Sequence, residues 1–202
     1  MMEPHNVADD AAIFYTEVLP EKLVDLMVEE LLEMEKNKVK FDDAGVGGEA
    51  HSRINHKERN SKVSWWYETH WSNSVISHYI GLANRKNWEY DLNMLESIQI
   101  SVYLGKDQGG GDGGHYNWHS DYGTSSRGDF TRKLSASILV TDPSEYEGGD
   151  LIFKDYHNRE VIAPKAKGSI IVFDSRIPHK VTPVTTGRRV SLVTWMYGPK
   201  LR

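Results

Sequence analysis

The chain has 202 residues, no cysteine and a formal net charge of -5. That length suits one domain with a sizeable core, and no Pro-, Ser- or charge-rich linker divides it. Without cysteine there can be no disulfide, thiolate metal site or cysteine nucleophile, so metal binding falls to His, Asp and Glu; the acidic balance argues against a broad basic surface for nucleic acid.

The first residues, Met1 to Asn6, have no apolar core, and no run of 18 apolar residues follows anywhere. A soluble, cytoplasmic protein without a membrane span is the expectation. Pro20 can open a helix in which Leu23, Val24, Met27, Val28, Leu31 and Leu32 recur at three- and four-residue spacing. Core packing accounts for that stripe. Residues 41–64 are polar and without sustained period, which predicts a long loop or irregular hairpin beside the core, of the kind that serves as a lid. Ser72 or Asn73 then fits the cap of a second helix burying Val75, Ile76, Tyr79, Ile80 and Ala83.

After residue 96 the period changes to two. Ile98, Ile100 and Val102 alternate with Gln99, Ser101 and Tyr103, and Leu134, Ala136, Ile138 and Val140 alternate with Ser135, Ser137 and Leu139, as in half-buried strands. Further strands are predicted over 150–154, 168–173 and 189–197. Helices first and strands afterwards indicate an α+β domain with a β-sandwich or barrel core. On the last strand Arg189, Ser191, Val193 and Trp195 share one face and Val190, Leu192, Thr194 and Met196 the other; the arginine face is the better candidate for a ligand pocket.

His119 and Asp121, two apart on extended backbone, point the same way and can occupy adjacent sites on one cation. His179 suits a third ligand, because Pro178 restricts the backbone beside it. Arg189 follows ten residues later. Two imidazoles, a carboxylate and a guanidinium suit a non-haem iron(II) centre with a dicarboxylate cosubstrate. His56-Lys57-Glu58 reads instead as a solvated cluster, and His115 as a loop or pocket residue.

Strand, His119-x-Asp121, strand, Gly148-Gly149, strand, His179, then Arg189 and Trp195: in this order the chain resembles the 2-oxoglutarate and iron(II)-dependent dioxygenases, in the prolyl 4-hydroxylase and PKHD-type hydroxylase branch. The matching stretches are Leu134-Ser135-Ala136-Ser137, residues 142–151 and residues 179–187, with a looser upstream match at Arg59-Asn60-Ser61-Lys62-Val63 and Trp65. The resemblance implies a double-stranded β-helix, a jelly-roll or cupin-like barrel flanked by N-terminal helices. Its single catalytic domain would fill residues 1–202, with helical support about 14–90 and a catalytic β-core about 97–197. It further implies iron(II) on His119, Asp121 and His179, a 2-oxoglutarate salt bridge at Arg189, O2 as oxidant, ascorbate as reductant, and hydroxylation of a C–H bond. Tyr103 matches a position near the cosubstrate, and Ser191 shares the face of Arg189.

Departures accompany the match. Gly109 to Gly114 lengthen the segment before His119, a tyrosine found in some prolyl hydroxylases is here Leu139, and the C-terminal extension typical of PKHD-type members is missing after Arg202. A peptidyl proline is the substrate the resemblance implies, with peptide or protein as partner. Tyr116, Trp118, Trp65 and Trp66 are candidate flat surfaces for it, and the glycine-rich segment a loosened loop beside the metal. A nucleic-acid or small-molecule oxygenase of the same kind, free amino acids included, stands as the alternative, and a non-catalytic β-barrel module as a different class. Oligomeric state leaves no mark in the sequence.

Overall fold

A computed structural model describes residues 5–7, 11–15, 17–47, 52–123 and 129–200. The main elements are β1 (Ala12–Tyr15), α1 (Glu21–Lys36), β2 (Lys62–Trp66), α2 (Ser72–Asn87), β3 (Ile98–Leu104), β4 (His115–His119), β5 (Phe130–Leu139), β6 (Leu151–Lys154), β7 (Ile170–Asp174), β8 (His179–Val181) and β9 (Val184–Pro199). A larger sheet runs β1-β7-β5-β9-β3-β2 and a smaller one β6-β8-β4, each extended by short strands and antiparallel throughout. From β4 to β9 successive strands alternate between the two sheets. That winding makes a double-stranded β-helix, whose two inner faces enclose a site.

The strands have two buried faces rather than one. In β3 the apolar set Ile98, Ile100 and Val102 packs outward with Leu134, Ala136, Ile138, Val190 and Leu192 against Val24 and Met27 of α1 and Ile76 and Ile80 of α2. Gln99, Ser101 and Tyr103 are equally buried, because they point into the barrel. Half-buried strands were expected; a covering helical layer on one face and a second sheet opposite the other bury both. A second apolar cluster, including Phe14, Phe153, Phe173 and Val181, fills the closed end between the sheets.

Sequence periodicity misplaced several pieces. Leu32 is 55% exposed, so the buried stripe of α1 is narrower than the apolar one and consists of Val24, Met27 and Leu31. Trp71 stands at the N-cap of α2, one residue before the expected position, and Ser72 spends its hydroxyl on His70. Ahead of the helices, β1 pairs with β7, and β2 pairs with β3, so the region taken as helical support also supplies strands to the larger sheet. The start of β2 falls within the predicted loop over 41–64, since Lys62-Val63-Ser64-Trp65-Trp66 is too short and polar to show its period. An irregular hairpin does occur, pairing Gly45–Val46 with Arg53–Ile54.

The glycine-rich segment is tied down rather than loose. Gly110 accepts from Asn60 and donates to Gly105, and a Cβ there would run into the carbonyl of Leu104. None of residues 109–114 lines the cavity. Among the described residues no helix is long and apolar enough to cross a membrane.

Because Ile80 is fully buried between α2 and the larger sheet, Ile80→Ala should cost about 2–5 kcal/mol. A urea titration should show this as a lower midpoint with little change in slope; an unchanged midpoint would mean that α2 is not part of the cooperative unit.

Candidate metal centre and carboxylate pocket

The geometry begins with strand register. β4 and β8 are antiparallel neighbours, and His119 lies directly opposite His179. Their rings sit 4.1 Å apart between centroids. Asp121 follows β4 by two residues, and its backbone N–H donates to the carbonyl of Ser175 at 2.9 Å, which turns the chain back toward the imidazoles. Its Oδ1 is 3.7 Å from His119 Nε2 and its Oδ2 3.6 Å from His179 Nε2. One ligand atom from each of the three residues lies within 4.8 Å of the others, so they can share a cation.

Surrounding atoms fix the orientation of all three. His119 Nδ1 is 2.8 Å from the carbonyl of Asn117, and His179 Nδ1 is 3.0 Å from that of Ile177. A carbonyl only accepts, so the proton is on Nδ1 and both Nε2 lone pairs face the centre. Ser135 Oγ donates to Asp121 Oδ2 at 2.8 Å and lies 2.9 Å from Ser175 Oγ. Burial, then the neighbouring His179, pushes the His119 imidazole down to about 3. Burial alone would raise the Asp121 carboxyl, but His179, His119 and Arg132 outweigh it and hold it below the usual carboxylate range. A neutral imidazole and an ionised carboxylate are the forms that bind metal.

The triad opens on a cavity of about 270 Å³ that Arg189, Ser191, Val193 and Trp195 also line, so the arginine face of the last strand is the inner one. Arg189 is 4% exposed. It donates from Nη1 to Ser191 Oγ at 3.0 Å, its Nε has no partner, and among the described residues no carboxylate pairs with it. Tyr103 stands opposite it in register, with the guanidinium 5.3 Å from the ring centroid. Gly149 has φ +62, and a Cβ there would press on Arg189 Cδ at 2.8 Å, which explains the glycine at this end of the Gly148-Gly149 pair. Tyr103, Ser191 and Arg189 therefore gather on one wall, with His119, Asp121 and His179 on another.

Some aromatic residues go elsewhere. Trp66 is buried against His70, and Trp118 lies outside the smaller sheet beside Lys154 and Lys180; Trp65 and Tyr116 do line the cavity. His115 hydrogen-bonds backbone carbonyls and Glu58 pairs with Arg53, so neither joins the centre.

Sequence reasoning missed several groups. Arg132 lies 3.7 Å over the Trp195 ring and is held by Glu96 through two hydrogen bonds of 3.0 and 2.8 Å. Tyr116 stacks on His119 at 3.4 Å. The buried hydroxyl of Tyr146 has no hydrogen-bond partner and shares a small pocket with Arg189 and Leu139. Strand alternation offered a weak signal for Tyr146, two residues before the glycine pair; the others depend on which strands become neighbours.

Comparison with known proteins agrees with this geometry. Residues 98–197 match the 2OG-Fe(II) oxygenase superfamily. A PKHD-type hydroxylase of Azoarcus sp. (strain BH72) is 39% identical over 89 residues, covering 43% of this chain and 39% of the relative. The chain thus matches about two fifths of that protein's length. A Pseudomonas putida prolyl-4-hydroxylase structure superposes with TM-score 0.70 at 19% identity, covering 95% of this chain and 94% of that one. A Trichoplax adhaerens prolyl hydroxylase, solved with a hypoxia inducible factor oxygen degradation domain peptide fragment, gives 0.74 at 17% identity, covering 95% and 86%. At these identities the two structures establish the shared fold.

If the three residues share a cation, His179→Ala should abolish Mn(II) binding in calorimetry while far-UV circular dichroism stays unchanged. Ser135→Ala removes a support of Asp121 and should weaken Mn(II) binding about 10- to 100-fold. Wild-type affinity in His179→Ala would show that the cation sits elsewhere.

Proposed function

We propose that this chain, which belongs to the 2OG-Fe(II) oxygenase superfamily in its prolyl 4-hydroxylase and PKHD-type branch, is an oxygenase that hydroxylates a prolyl residue in a peptide or protein. One observation carries the reading: a buried guanidinium with no carboxylate partner among the described residues faces the same cavity as the His-Asp-His cluster. Burying an unpaired charge costs several kcal/mol, so the wall around Arg189 is complete only when an anion is bound there.

The residues present fit the groups this chemistry requires. His119, Asp121 and His179 would hold iron(II), and two nitrogens with one carboxylate oxygen form the facial donor set preferred by that ion. Bound together, iron(II), 2-oxoglutarate and O2 supply hydroxylation of a C–H bond, the cosubstrate leaving as succinate and CO2. The chain's part is placement and exclusion. Arg189 offers a fork of N–H donors to the distal carboxylate, Ser191 fixes that fork, and Tyr103 packs against it. The Tyr146 hydroxyl, in a small adjoining pocket shared with Arg189 and Leu139, would add a further polar group beside that guanidinium. Phe173, Leu151 and Val181 make the cavity wall next to His179 apolar and limit water there. Ascorbate as reductant and a cytoplasmic location belong to the same reading.

Support for a peptide substrate comes from the peptide complex of the Trichoplax adhaerens protein and from the open side of the cavity, where Trp65 presents a flat surface.

The purified chain should convert 2-oxoglutarate to succinate only with added iron(II), and some proline-containing peptides should gain about 16 Da, one oxygen, in mass spectrometry. Absence of both in a folded, iron-loaded sample would falsify the reading; succinate without any peptide product would confine the failure to the substrate.

Arg189→Met should weaken 2-oxoglutarate binding about 10- to 150-fold, the equivalent of about 1.5–3 kcal/mol for a charge-assisted hydrogen bond. Titration of the Mn(II) form with 2-oxoglutarate measures this directly, and Mn(II) binding itself should persist.

A further inference from the structure

Three guanidiniums line the cavity, and two have an evident counter-charge. Arg132 is clamped by Glu96, and Arg189 faces the place assigned above to the cosubstrate. Arg59 has neither. The residue is only 8% exposed, yet its side-chain hydrogen bonds go to neutral acceptors, from Nε to Ser61 Oγ at 3.0 Å and from Nη1 to the carbonyl of Gly45 at 3.3 Å. Among the described residues no carboxylate pairs with it.

Those two contacts hold the guanidinium in one place. Its Cζ lies 4.5 Å from the centroid of Tyr116. The imidazole of His119 already covers one face of that ring at 3.4 Å, so the guanidinium takes the other face. Arg59 is therefore one stacked ring farther from the metal cluster than His119.

The charges of the cavity point the same way. Iron(II) and 2-oxoglutarate would neutralise each other, Arg132 and Glu96 neutralise each other, and Arg189 balances Asp121. Among the described residues that line the cavity, a single positive charge remains, at Arg59.

We propose that Arg59 is a specificity-determining residue that receives a carboxylate of the substrate, so that the enzyme selects an acidic residue close in sequence to the one it hydroxylates. This rests on the oxygenase reading above. Extended backbone advances about 3.3–3.6 Å per residue, which places the acidic side chain one to three positions from the reacting residue. A chain-terminal carboxylate at the same distance would present the same chemistry.

The test uses the full chain loaded with Mn(II) and 2-oxoglutarate, and acetylated, amidated peptides with one proline and Glu or Gln at each of three positions on either side. A parallel set ends in a free carboxylate. Calorimetry should show Glu preferred over Gln about tenfold or more at one position, the size expected of a charge-assisted pair. If the terminal carboxylate is the true ligand, the preference will appear only in the parallel set. Arg59→Lys should keep a reduced preference, Arg59→Met should lose it, and Arg59→Glu should turn it toward Lys-containing peptides, a reversal that a merely structural arginine would not produce. Equal affinity for Glu and Gln peptides throughout, or a preference that survives in Arg59→Met, overturns the proposal. So does failure of every peptide to bind a sample that forms succinate with iron(II). Failure to form succinate at all would instead bring down the oxygenase reading.

Discussion

The pairing of β4 with β8 is the constraint on which the site depends. Antiparallel register sets His119 opposite His179, and the carbonyls of Asn117 and Ile177 turn both rings the same way. A slip of one residue would send one imidazole to the outer face of the smaller sheet, where Trp118 and Lys180 now stand. The register is anchored on both sides: β8 also pairs with β6, opposing Phe153 to His179, and β4 also pairs with Arg59–Asn60. Phe153 and Phe173 then pack on the His179 ring, Phe173 also forming part of the cavity wall.

The larger sheet does the opposite job with the same period. β9 turns Val190 and Leu192 toward the helices and Arg189, Ser191, Val193 and Trp195 into the barrel, so one strand serves the core and the pocket together. Apolar burial on the outer face, about 1.5–3 kcal/mol for each large side chain, offsets the cost of polar groups held dry on the inner one. Ser101, Ser135, Ser137 and Ser191 are inexpensive inner residues. Each is small, and two of them support a charged neighbour: Ser135 donates to Asp121, and Ser191 accepts from Arg189.

What could be read from the sequence follows from this division. Alternation was plain in β3, β5 and β9 because each has a mostly apolar outer face. It was absent in β4, where His115-Tyr116-Asn117-Trp118-His119 has no apolar set, and β8 has only three residues. The strands that carry the histidines were thus the ones without a period, and His119, Asp121 and His179 stood out through their motif instead. Arg189 was readable by its spacing after His179. The Glu96 clamp on Arg132 and the stack of Tyr116 on His119 were not, since each joins residues brought together by sheet order. β1 was hidden for another reason: four residues just ahead of a proline-opened helix read as a lead-in to it.

Arg59 joins these two levels. It lies on the short strand that pairs with β4, so the register that faces the histidines also sets its guanidinium against Tyr116. Burial and the neighbouring His179 keep His119 in its neutral, metal-binding form, and the Tyr116 ring stands between that imidazole and the Arg59 guanidinium. One strand register therefore sets both the metal-facing imidazole and, one ring behind it, the guanidinium proposed to receive the substrate carboxylate.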